Sequence, residues 1–201
     1  TIVRSSLENL EHEKLSGDAK EYTARAREGT ARLQRILSAM SEASRTEELI
    51  ENAELENFIP GRVLKSVVDA YADAWPARQF AFSDCSDEAQ VHGAPELIIQ
   101  MLDKLVDNAV DFTMTGEAIS ISVESDTQSV TLAVENPGAP LPVELQAELF
   151  DSMVSVRKGD SNKHLGLGLY IARLIAEGHN GEISANNTDN GVRFSVSLPR
   201  A

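Results

Sequence analysis

The sequence predicts an α+β protein: a two-layer sandwich, a mixed and mostly antiparallel sheet with helices on one face, preceded by an α-helical hairpin. Three observations predict it. Apolar side chains between residues 3 and 43 recur in a 4-3 step, which is a helix seam. After residue 80, stretches of apolar period two alternate with stretches of helical period. The period-two stretches come in adjacent pairs joined by short turns, which selects antiparallel neighbours.

The elements follow in order. Val3, Leu7 and Leu10 lie on one helix face, and Ser16-Gly17-Asp18 breaks the pattern with turn chemistry. Tyr22, Ala26, Gly29, Leu33, Ile36, Met40 and Ala43 then hold the step over three heptads, and Leu37 widens the stripe. Arg25, Arg27, Glu28, Arg32 and Arg35 charge the other face. Two helices with this stripe bury too little alone, so a dimeric four-helix bundle is expected, the alternative being a hairpin packed on the next domain. Residues 52–60 read as a polar connector. A short helix with Val63, Val67, Val68 and Tyr71 inward stops before Pro76, and Phe80 and Phe82 alternate as a strand. Residues 94–112 return to a helix, with Ile98, Leu102, Leu105, Ala109 and Phe112 inward. Ile119, Ile121, Val123 and Val130, Leu132, Val134 form a hairpin about Asp126-Thr127-Gln128-Ser129. A helix over 166–178 with Leu167, Ile171, Leu174 and Ile175 inward precedes strands at 182–187 and 192–198, joined by Asp189-Asn190-Gly191. The domain division is 1–53 and 54–201.

Net charge is −14, which argues against nonspecific binding to nucleic acid or anionic membranes, although a local basic groove stays open. The single cysteine, Cys85, excludes an intrachain disulfide framework and a multi-cysteine zinc site, and reads as a buried or incidental thiol. His92, His164 and His179 are too scattered for zinc. No apolar run reaches membrane-spanning length and no signal peptide is visible. The chain begins Thr1-Ile2-Val3 in mid-pattern, as a piece of something longer would.

Three clusters carry chemistry. In Leu102 to Thr113, Lys104, Asn108 and Asp111 share the helix face opposite the apolar stripe, where an amide oxygen and charges suit a hydrated cation and phosphates. Alone, that face is equally a solvated one. Val134-Glu135-Asn136-Pro137-Gly138-Ala139-Pro140-Leu141-Pro142 follows a strand directly; Asn136 offers a planar amide and Gly138 a close backbone approach. Alone, it is a proline-rich loop. Lys163-His164-Leu165-Gly166-Leu167-Gly168-Leu169 runs into a helix, and glycines at a helix start expose backbone N–H groups to anions. Alone, it is a turn and cap.

In this order the clusters resemble the catalytic domain of bacterial sensor histidine kinases, in the superfamily with DNA gyrase, Hsp90 and MutL. Asn108-Ala109 and Phe112-Thr113 match the N box; Asn136 to Pro140 is a divergent first glycine box; Leu149-Phe150-Asp151 matches the F box; His164 to Leu169 matches the second glycine box; and His179-Asn180-Gly181 stands where relatives have His-Gly-Gly. The resemblance covers roughly residues 60–199. It implies an α/β sandwich holding ATP and Mg²⁺ under a lid at about 151–165. It implies that Asn108 coordinates Mg²⁺, that Asn136 reads adenine with Gly138 behind the ring, and that Gly166, Leu167 and Gly168 contact phosphate through backbone. Arg157, Lys158 or Lys163 would neutralise phosphate charge, and Lys104, Asp111 and Phe112 fall in the same ATP site.

The departures matter equally. Asn136 replaces the usual Asp, Pro140 the second glycine, and His164 the first glycine of the second box. Lys104 stands where relatives carry Asn or Glu and Asp111 where many carry Lys, so Lys104 is expected to serve phosphate in place of a residue at 111. The hairpin resembles the family's dimerisation and phosphotransfer element, which implies a homodimer through the hairpin and a response-regulator receiver domain as partner. The family's His-Glu-x-x-x-Pro acceptor motif does not occur; His12-Glu13-Lys14-Leu15 is the lone His-Glu and lacks the proline. The expected protein is therefore the ATP-binding half of a protein-histidine kinase, unable to autophosphorylate, with its acceptor and any membrane anchor upstream and the module itself soluble at the cytoplasmic face of the inner membrane. No catalytic side chain is assigned. The competing readings are a nonenzymatic docking dimer on a degenerate nucleotide fold and an anti-sigma-type serine kinase or ATPase relative.

Overall fold

The computed structural model describes residues 2–11, 13, 15–146, 148–151 and 167–201. The helical beginning is α1 (Ile2–Glu11) and α2 (Gly17–Glu51). Ser16 caps α2 by accepting the Ala19 N–H, the usual service of a serine before a first turn. Of the seam residues, Leu7 and Ala43 are buried, whereas Val3, Leu10, Tyr22, Leu33, Leu37 and Met40 stay exposed. The two helices therefore do not satisfy their own stripe. The end of α2 does more than finish the hairpin, because Thr46 and Ile50 pack on the α/β unit.

That unit has two sheets. The larger has five strands in the order β2 (Gln79–Cys85), β4 (Ala118–Ser125), β5 (Ser129–Pro137), β7 (Gly191–Pro199), β6 (Glu182–Asn187). The expected hairpins β4–β5 and β6–β7 are present and antiparallel, as is β5–β7. The β2–β4 pair is parallel, which makes the sheet mixed and mostly antiparallel, as expected. The chain between them runs through β3 (Val91–Gly93) and α4 (Pro95–Phe112), long enough for the crossover that parallel pairing demands. The second sheet is a correction: the supposed connector contains β1 (Glu56–Phe58), which pairs antiparallel with β3 and buries Phe58.

Three helices complete the core: α3 (Pro60–Ala74), α4 and α6 (Gly168–Gly178). Their inner faces meet the sheet through Leu64 and Val68, Ile98, Met101, Leu102, Leu105, Val106 and Ala109, and Ile171 and Ile175. Opposite them lie Ile119, Ile121, Val123, Val130, Leu132, Val134, Phe194 and Val196, alternate residues of their strands. On α3 the deeply buried residue is Leu64; Val63 and Val67 are only half-buried. Phe112, expected inward, is 45% exposed. Thr113 takes the inward place instead, its hydroxyl donating to the Ala109 carbonyl, and the Arg78 guanidinium caps the end of α4 through the Thr113 and Val110 carbonyls. A short helix α5 (Val143–Gln146) was not foreseen. Cys85 is exposed at the end of the edge strand β2, so it is no core thiol.

His179 joins three elements. Buried at the end of α6, it accepts the Ala94 N–H on Nε2 at 3.0 Å and donates from Nδ1 to the Ile175 carbonyl at 2.7 Å. Gly93 is required beside it, since a Cβ there would lie 2.5 Å from the ring. Replacing His179 with Ala orphans a buried N–H at the start of α4 and should cost about 1–3 kcal/mol, lowering the melting temperature by several degrees. In the β4–β5 turn, the Gln128 and Ser129 N–H groups donate to Asp126 and hold its carboxyl below the ordinary 3.8. Its stabilisation is present above 3.8 and lost as pH falls through the lowered folded value. Asp126→Asn should therefore flatten the acid limb of a stability-versus-pH curve.

Candidate functional site

One end of the site forms where β5 leaves the sheet. Asn136 is 3% exposed there; its Nδ2 donates to the Pro137 carbonyl at 3.0 Å, while its Oδ1 is buried without a hydrogen-bond partner. Gly138 sits between the two other members, because a Cβ on it would lie 3.6 Å from Asn136 Nδ2 and 3.6 Å from the Phe112 carbonyl oxygen. The Phe112 backbone thus lies at this end, and its side chain is 45% exposed rather than filling the core. The loop beyond is fastened from β6 and the turn after it. Gly138 N–H donates to the Asn190 carbonyl, the Asn187 amide accepts the Leu141 N–H at 2.7 Å, and it donates to the Leu141 carbonyl at 2.9 Å. Thr188, beside Asn187, has a buried Oγ1 without a partner.

The other end forms at the start of α6. Gly168 is its first residue, and Leu167, buried at the N-cap, makes no side-chain cap bond. A leucine at the N-cap cannot accept from the first-turn N–H groups, which makes them candidates for an anion. Lys104 reaches this place from α4: its Cδ lies 3.9 Å from a Cβ built on Gly168, and its ammonium donates to Glu42 of α2 at 2.6 Å. Asn108, one turn further along α4, is half-buried, and Asp111 is exposed beyond it. From Lys104 to Phe112 the helix rises about 12 Å, so a single face of α4 spans both ends. Gly166, Arg157, Lys158, Lys163 and His164 lie outside the described residues, as does the rest of the expected lid after Asp151. Its N-terminal root is held: Phe150 packs edge-on against Phe194, and Asp151 accepts from Arg173 of α6 at 2.9 Å.

This donor set suits an aminopurine polyphosphate. A buried carbonyl oxygen without a partner is rare, and an exocyclic amino group would satisfy it. Among the described residues no three His, Cys, Asp or Glu converge as a metal site. A divalent cation here would take the Asn108 amide oxygen and complete its shell with the ligand's phosphates and water, which fits magnesium.

The family model described as histidine kinase-, DNA gyrase B- and HSP90-like ATPase matches residues 93–201, more than half of the chain. The chain belongs to this ATPase family. The probable sensor kinase SilS of Salmonella typhimurium is 34% identical over 115 residues, which is 55% of this chain and 22% of SilS. The sensor histidine kinase CusS of Escherichia coli K12 is 35% identical over 118 residues, 56% of this chain and 24% of CusS. This ATPase chain thus spans under a quarter of the length of these relatives. Among solved structures, the catalytic domain of histidine kinase ThkA is 29% identical, with a TM-score of 0.65 over 73% of this chain and 98% of that one. Acinetobacter baumannii histidine kinase AdeS has the same fold over 98% of this chain and 93% of its own, at 22% identity and a TM-score of 0.66.

Asn136, Gly138 and Gly168 are expected site members that the structure sets at the two ends of this ATPase module, whereas Glu42, Asn187 and Arg173 carry no signal in the sequence. These three bond across elements distant in sequence, and no spacing signals that. The Asn187 clamp is testable. Asn187→Ala should speed amide hydrogen exchange at Leu141 by about tenfold without a comparable change in the strands, as two hydrogen bonds to one residue are lost together.

Proposed function

We propose that this chain is the ATP-binding catalytic part of a sensor histidine kinase, whose whole protein transfers the γ-phosphoryl of ATP to a histidine and then to a response-regulator aspartate. The observation that carries the ATP reading is the buried, unpartnered Asn136 Oδ1, on a side chain whose Nδ2 lies, like the Phe112 carbonyl, near Gly138. In this reading Asn136 accepts from the adenine amino group, Gly138 leaves room for the ring, and Phe112 covers its edge. At the other end, Leu167 and Gly168 offer backbone N–H groups to phosphate and Lys104 balances its charge; the resemblance gives Gly166, Arg157, Lys158 and Lys163, outside the described residues, to the same task. Asn108 holds magnesium, which when bound neutralises charge on the phosphates. The chain's own contribution is positioning and charge neutralisation, and the attacking atom is a ring nitrogen of the acceptor histidine.

The exposed stripe of Tyr22, Leu33, Leu37 and Met40 supports a homodimer through the hairpin, where a second copy would cover it. One solved structure shows ThkA in complex with the response regulator protein TrrA, and a receiver domain is the corresponding partner proposed here. Among the described residues no helix is long and apolar enough to cross a membrane, so attachment to the inner membrane would come from a segment outside this chain.

Calorimetric titration tests the reading. The chain should bind Mg-ATP and lose affinity when Mg²⁺ is chelated, without becoming phosphorylated. Absence of binding at millimolar nucleotide would hand the chain to the docking-module reading. Asn136→Ala should weaken binding by about 1–2 kcal/mol, roughly tenfold. Asn136→Asp should strengthen it by about 1 kcal/mol through a charge-assisted bond, while lowering the melting temperature of the nucleotide-free protein because the new charge is buried. Lys104→Ala should weaken Mg-ATP binding but leave adenosine binding unchanged.

A further inference from the structure

Lys104 faces two directions at once. Its stem passes Gly168 at the phosphate end of the site, yet its ammonium is bonded to Glu42, a residue 62 positions earlier on α2. The pair is partly sheltered, with side-chain exposures of 22% for Lys104 and 44% for Glu42. Glu42 is also the charged end of a docking strip. Ala43, Thr46 and Ile50 follow it at helical spacing. Ala43 and Thr46 are buried, Thr46 Oγ1 accepts from Gln100 of α4, and Ile50 closes on α6 where Gly178 makes room: a Cβ there would lie 2.5 Å from Ile50 Cγ2.

We propose that Glu42 and the nucleotide's phosphates compete for Lys104, so that docking of α2 weakens nucleotide binding and a filled site releases the charged end of the strip. The inference rests on the reading of Lys104 as a phosphate-binding residue and names how that same site is regulated. An ammonium has three donors, but one positive charge divided between a carboxylate and a polyphosphate attracts each less than it would attract either alone, and the two anions repel each other across it. The coupling is small by design of the geometry, since a half-exposed ion pair is weak enough for a triphosphate to displace. It is reciprocal: whatever Glu42 takes from nucleotide affinity, nucleotide takes from α2 docking. It also depends on a departure of this chain. An Asn or Glu at 104, as the resembling family carries, would bond Glu42 weakly or repel it.

The test is a double-mutant cycle on the full 201-residue chain, titrated with Mg-ATP and separately with adenosine. Glu42→Gln should bind Mg-ATP roughly three- to fivefold more tightly than wild type, the worth of an exposed ion pair. Adenosine affinity should not move. In a Lys104→Met background, Glu42→Gln should change neither. Glu42→Asp, which withdraws the carboxylate by one methylene, should shift Mg-ATP affinity in the same direction and less. Equal Mg-ATP affinity in wild type and Glu42→Gln overturns the competition while leaving the ATP reading intact. The same gain with adenosine as with Mg-ATP overturns it too, because loosening α2 would then act through the fold rather than through phosphate. A wild-type chain that binds neither ligand overturns the ATP reading and this inference with it.

Discussion

The seating of α4 on the sheet is the constraint on which everything else depends. Ile98, Met101, Leu102, Leu105, Val106 and Ala109 are almost wholly removed from water along its inner face, and burial of such side chains is worth about 1.5–3 kcal/mol each. That face fixes the helix's rotation, and rotation decides where Lys104, Asn108 and Phe112 point. The start of the helix is set by His179, which takes the Ala94 N–H, and its end by Arg78, which takes the last carbonyls. A helix pinned at both ends and along one side presents its remaining face as a rail between the Asn136 loop and the start of α6.

A protein of net charge −14 that takes up a polyanion must arrange its attraction locally. Two devices meet at the start of α6. The uncapped first turn offers oriented N–H groups without adding a counter-charge, and Lys104 adds one cation from the neighbouring helix. The same scarcity of positive charge explains why Lys104 attracts Glu42 when no phosphate is present. In an acidic chain a lysine at a helix junction finds a carboxylate readily, and the structural pair and the ligand contact draw on one ammonium.

Most of the architecture was legible because burial imposes periodicity. The β4–β5 and β6–β7 hairpins were readable from alternation of residues such as Ile119, Ile121 and Val123 and from Asp189-Asn190-Gly191, and α4 and α6 from their stripes. The misses share a cause. The three-residue strands β1 and β3 are too short to show a period, and their pairing, Glu56 with Gly93, spans a distance in sequence that no local pattern records. Phe112 fits the α4 stripe by spacing, but Thr113 takes the inward place at the end of the helix and the Phe112 side chain is left 45% exposed. In the site, glycines and Asn136 were visible as motif members, whereas Asn187 and Glu42 act by reach across the fold.

The exchange of aspartate for Asn136 changes the site's energetics in two opposed ways. A carboxylate at a position 3% exposed would be a buried charge, stable only if paired, and among the described residues no cation is bonded there. The amide avoids that cost in the empty protein. It also commits one of its two ends: Nδ2 is held by the Pro137 carbonyl, and Oδ1 is left buried without a hydrogen-bond partner. The loop that carries this arrangement is stiffened by Pro140 and clamped by Asn187. Charge is given up, and preorganisation takes its place. The loss in attraction is about 1 kcal/mol or more for a single charge-assisted bond. The gain is a site whose fold does not have to carry an uncompensated buried anion. A divergent first glycine box is thus compatible with nucleotide binding on physical grounds, and the orphaned oxygen of Asn136 is the feature that a degenerate fold would have had every reason to lose.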